Sequence, residues 1–92
     1  MKSYSGKINV IFTTTRGVIV TINIPYGKTV HDLIKLYFMR VNNEELMNRP
    51  NDIYFIYNAT KINFNDKTKV EKFFRLHFAR ITVNDTKGLI AA

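Results

Sequence analysis

The sequence predicts an α+β domain in which a mixed sheet of four to five strands packs on one main helix. Residues 7–24 hold two alternating apolar runs joined at a glycine, the signature of a hairpin. Residues 29–41 carry an apolar stripe at helical spacing. The chain has 92 residues, enough for one such unit and too few for a second of ordinary size. Its hydrophobic share of 46% and aromatic share of 13% exclude the disordered class.

Each element follows from its residues. In KINVIFTTT, Ile8, Val10 and Phe12 alternate with Asn9, Ile11 and Thr13, which predicts a first strand. Arg16-Gly17 makes a tight turn, and VIVTINI forms the second strand, with Val18, Val20, Ile22 and Ile24 on one face. Pro25-Tyr26-Gly27 ends the hairpin. Thr29, three residues before Asp32, reads as a helix cap, and Val30, Leu33, Ile34, Tyr37, Phe38 and Val41 form the buried stripe. Residues 42–52 read as a loop with one helical turn around Glu44 to Met47. A third strand places Ile53, Phe55 and Tyr57 on one face and Tyr54 and Ile56 on the other. A short fourth strand over 61–64, a short helix over 70–76 and a last strand over 78–83 complete the order. In that last strand Ile81 and Val83 point inward, Arg80 and Thr82 outward. Residues 1–6 are expected to be a flexible N-terminus, 7–85 the domain, and 86–92 a flexible tail.

This order, and the residues that carry it, resemble ubiquitin and its β-grasp relatives. INVIFTTTRGVIVTINI followed by PYGKTVHDLI looks like the family's hairpin and helix entry, with Gly17 on the hairpin glycine and Thr29-Val30 on the capping pair. FIYN at 55–58 looks like the third strand, and FNDKTKVEKF at 64–73 is similar to the segment running through an Asp turn to a buried aromatic. The resemblance implies a ubiquitin-like β-grasp fold over about residues 8–84 and a non-catalytic, intracellular protein-interaction module, cytoplasmic or nuclear, working in the ubiquitin pathway. It departs from the family where function sits. There is no diglycine tail, which argues against a conjugated modifier. The family's apolar binding patch falls on Thr15, Ile56 and roughly Asn84, of which only Ile56 is apolar. Lys61 lies near a family linkage lysine but in a loop of different length. The expected candidate surface is therefore the outer sheet face, with Thr15, Tyr54, Ile56, Lys61, Arg80 and Thr82 as partner-binding residues. Ile56 is its apolar anchor. The chain reads as part of a larger protein or as a divergent stand-alone relative, and as a monomer.

Other chemistries have less support in the residues. The net charge of +7 raises nucleic acid or an anionic membrane surface as partners. A bias toward Lys and Asn is the competing explanation. Lys61, Lys67, Lys69, Lys72, Arg75 and Arg80 crowd the C-terminal half, and that surface could hold an acidic protein groove, nucleic acid or a small GTPase. Head-to-tail pairing of β-grasp modules needs a basic strand and a dense acidic loop; the first strand carries only Lys7, and no such loop is present. No disulfide or thiolate site is possible, since there is no cysteine. His31 and His77 stand far apart and are expected to be exposed or structural, so no metal and no cofactor is expected. Ser3 and Ser5 have no neighbouring base, no carboxylate pair is marked out as acid and base, and the 4 glycines are scattered. No enzyme activity is expected. No apolar run approaches the roughly 20 residues that span a bilayer, and Met1 to Lys7 lacks a signal-peptide core.

Overall fold

The computed structural model describes residues 6–85 and 87–90. The expected flexible N-terminus, with Ser3 and Ser5, lies outside these residues except for Gly6. Strands β1 (Lys7–Thr14), β2 (Ile19–Pro25), β3 (Tyr54–Tyr57), β4 (Thr60–Lys61) and β5 (Phe78–Asn84) form one sheet in the order β2-β1-β5-β3-β4. Helix α1 (Val30–Arg40) crosses one face, and a 3₁₀ helix (Glu44–Asn48) and short α2 (Val70–Phe74) fill the connections. β1 runs antiparallel to β2 and parallel to β5, so the two longest pairings place the chain's first and last strands at the centre.

The hairpin forms because its turn satisfies its own polar groups. The Thr14 hydroxyl accepts from the Arg16 and Val18 amides (3.2 and 3.0 Å), and Gly17 supplies a φ of 87°. Helix α1 starts in a full capping box: Thr29 Oγ1 accepts from the Asp32 amide at 3.1 Å, and the Asp32 carboxylate accepts from the Thr29 amide at 3.0 Å. The same amide holds the Asp32 carboxyl below its usual range.

The predicted stripe of α1 is buried at Val30, Leu33, Ile34, Tyr37 and Phe38. It packs on Ile8, Val10, Phe12, Ile22, Ile24, Phe55, Ile81 and Val83 from the sheet. Phe12 stacks on Tyr37 at 4.3 Å between ring centroids, and Phe55 meets Phe38 and Phe64 at 5.5 Å each. Each such fully buried side chain contributes roughly 1.5–3 kcal/mol relative to exposure.

Three expectations need correction. The fourth strand stops at Lys61; the Ile62 amide still donates to the Phe55 carbonyl, and the Ile62 and Phe64 side chains enter the core. Helix α2 ends at Phe74 because Arg75 takes a left-handed φ of 61°. The tail boundary also moves, because residues 87–90 are packed against the domain. The Asp85 carboxylate is buried and accepts from the Leu89 and Ile90 amides at 2.8 Å each. Asn43 Nδ2 donates to the Leu89 carbonyl (3.2 Å), Lys87 pairs with Asp52 (2.7 Å), and Ile90 is buried. Nothing periodic in NDTKGLIAA signals this turn, since it depends on a carboxylate accepting local amides.

Candidate interaction surface

The helices and the core cover one face of the sheet. The other face is open, and strand alternation decides what it shows. Register aligns Ile19, Thr13, Thr82, Ile56 and Lys61 in one row from β2 to β4. Beside it run Thr21, Ile11 and Arg80, then Asn23, Asn9 and Phe78. On the other side Tyr54 pairs with Asn84. Tyr54, Ile56, Lys61, Arg80 and Thr82 therefore share the outer face. Thr15 sits exposed at the hairpin turn, its amide donating to the Val83 carbonyl at 3.1 Å, at the end of that face.

Two cation–aromatic pairs organise this surface. Lys61 Nζ lies 4.2 Å from the centre of the Tyr54 ring, and the Arg80 guanidinium lies 5.5 Å from the Phe78 ring. Ile56 is half-buried between Thr82 and Lys61. Sequence reasoning missed Ile19 and Phe78, which are 65% and 45% exposed on the same face. The signal was present: both residues are apolar and occupy outward positions of alternating strands.

The electrostatics follow from where the acids are. None of the 7 acidic residues lies on a strand, while Lys7, Lys61 and Arg80 do. Five of the carboxylates are engaged elsewhere, among them Asp32 in the helix cap, Asp85 in the C-terminal turn, and Asp66 on the Thr68 amide at 2.9 Å. Glu71 accepts from the Gly27 amide at 3.0 Å, which holds its carboxyl low. Asp52 is lowered by Lys87 and then by Arg49, and ion pairs among the described residues form only at Asp52. The sheet is thus left positive and without a carboxylate.

The expected basic cluster divides. Lys61 and Arg80 stand on the sheet face. Lys69 belongs to the pole where α1 begins, its Nζ donating to the Gly27 carbonyl at 2.9 Å, and Lys67, Lys72 and Arg75 flank it on the same loop and α2. The division arises because Val70 and Phe74 turn α2 toward the core. His31 is half-buried, not exposed: its Nδ1 donates to the Phe64 carbonyl at 2.7 Å. His77 stacks beside Tyr26 and shares a hydrogen bond with its hydroxyl at 3.2 Å. Among the described residues, no group of three or more His, Cys, Asp or Glu is placed to hold a metal ion. No helix among them is long and apolar enough to cross a membrane.

No protein-family model and no curated protein sequence matches the chain. Solved structures do. A de novo design based on ubiquitin is 17% identical, with 85% of this chain and 87% of that one covered and a TM-score of 0.61. A protein described as a molecular mimic of SUMO that promotes DNA repair is 20% identical, covering 88% and 94%, with a TM-score of 0.62. The ubiquitin-like domain of an Arabidopsis thaliana protein is 18% identical, covering 85% and 76%, with a TM-score of 0.63. The chain has the ubiquitin-like β-grasp fold, in the divergent form that its residues predicted.

Proposed function

We propose that this domain is a non-catalytic, intracellular protein-interaction module that recruits a protein partner through its outer sheet face. The observation that carries the reading is the open face itself, with Ile56 and Tyr54 set among Lys61, Arg80 and threonines and no carboxylate on any strand. An apolar anchor with a rim of fixed charge suits a protein contact, where the anchor supplies affinity and the charge supplies steering and register. Conjugation to other proteins is the weaker reading, because residues 87–90 are engaged by Asp85 and Asn43.

The test compares the domain with its Ile56→Ala variant, immobilised and exposed to lysate with and without nuclease. The expected result is a set of proteins retained after nuclease and moderate salt, and weakened about tenfold or more by the substitution at an unchanged circular dichroism spectrum. Undiminished retention by a natively folded Ile56→Ala variant would sink the site. Retention that nuclease abolishes would transfer the surface to nucleic acid.

A further inference from the structure

The outer face ends at β4, and a cleft of about 430 Å³ opens just beyond that edge. It lies between the 3₁₀ helix with its following loop and the segment that leaves β4. Met47, Ile62 and Phe64 supply its apolar part, while Lys61, Asn51 and Asn63 supply polar groups. Its volume falls within the roughly 300–1,000 Å³ of ordinary ligand pockets.

One wall is rigid. The Ile62 amide donates to the Phe55 carbonyl at 2.8 Å, Phe64 packs on Phe38 and Phe55, and Asn63 Oδ1 accepts from the Asn65 amide at 2.8 Å. The other wall carries Met47, an unbranched thioether that adapts to the shape of a guest. No carboxylate lines the cleft, and Lys61 stands at its mouth, held over the Tyr54 ring. Lys61 also pairs with Ile56 in the sheet. It therefore belongs to both the cleft and the outer face, and makes them one continuous surface.

We propose that this cleft receives the apolar side chain of an acidic peptide segment, whose flanking carboxylates meet Lys61 and the neighbouring amides. The inference rests on the outer-face reading and adds to it a second contact and the partner's chemistry: a bulky aliphatic residue set between Asp or Glu. Charge complementarity selects this occupant. A basic segment would meet Lys61 with like charge, and a purely polar one would leave the half-buried Met47 and the exposed Pro50 without an apolar partner.

The experiment titrates the isotope-labelled domain with three short synthetic peptides and follows amide shifts by NMR. The peptides are Asp-Glu-Leu-Asp-Glu, Asp-Glu-Ser-Asp-Glu and Lys-Arg-Leu-Lys-Arg. The expected result is saturable shifts at Asn51 and residues 62–65 with the acidic leucine peptide alone, weakened about tenfold by Lys61→Glu. Equal shifts with the serine or basic peptide would overturn the inference, as would tighter saturation of the same amides by a short oligothymidylate. Shifts confined to Tyr54, Ile56, Arg80 and Thr82 would reject the cleft and keep the outer face. Shifts confined to the cleft, unaffected by Ile56→Ala, would keep the cleft and reject the outer face. No saturable shift anywhere would reject both.

Discussion

At the scale of single residues, Tyr37 shows how a buried polar atom is tolerated. Its ring is fully buried between Phe12, Phe38 and Phe55, and its hydroxyl finds no hydrogen-bond partner among the described residues. Burial, and then the charge of Asp85, push its ionisation upward. A raised folded pKa means the neutral form contributes stability that is complete below the ordinary tyrosine value. That stability is lost as the pH rises past about 10. Tyr37→Phe is therefore predicted to change stability at neutral pH by between nothing and a gain of about 1 kcal/mol. It should also flatten the alkaline decline. Urea unfolding at neutral and alkaline pH checks both; a loss of several kcal/mol at neutral pH would show that the hydroxyl is bonded after all.

At the scale of elements, two local devices decide where the chain turns. The Thr29–Asp32 box starts α1, and Thr29→Ala should cost about 1 kcal/mol. The same change keeps the Thr29 amide, the main group that holds the Asp32 carboxyl low, so that carboxyl should stay below its usual range by NMR titration, while Thr29→Ser restores the stability. The Asp85 turn closes the other end. Removing that carboxylate in Asp85→Ala strands the Leu89 and Ile90 amides and should cost about 2 kcal/mol. Faster hydrogen exchange at those two amides would accompany the loss, and unchanged protection would show that the packing of Ile90 alone holds the segment. The cap was legible in sequence because its partners stand three residues apart. The Asp85 turn was not, since an Asp after a strand commonly faces water and only the buried Ile90 beside it makes the carboxylate structural.

At the scale of the whole molecule, charge is segregated. The carboxylates serve loops and helix ends, and the strands carry lysine, arginine, asparagine and threonine outward. Asp32, Asp52 and Glu71 are all held below the usual carboxylate range in the fold. Their contribution is therefore complete above about pH 5 and is lost as the pH falls through the lower folded values. Chemical unfolding from neutral pH downward should show stability steady to that point and declining below it. The segregation also predicts that binding at the outer face weakens with salt more than stability does, because the exposed Lys61 and Arg80 steer a partner and hold little of the fold.

Periodicity by itself determined the strand faces, the helix stripe and the element order. Alternation put Tyr54, Ile56, Arg80 and Thr82 on one side of the sheet whatever the neighbours of each strand. It could not say which strands lie side by side. Only the tertiary structure joined β1 to β5 and β5 to β3, and so brought Thr13, Thr82, Ile56 and Lys61 into one row. It alone sent Ile62 and Phe64 inward beyond a two-residue β4, opening a cleft beside Lys61. The physical reason is range. Alternation and capping act between residues a few positions apart, whereas pairing and burial are settled by competition among segments distant in the chain for the same core.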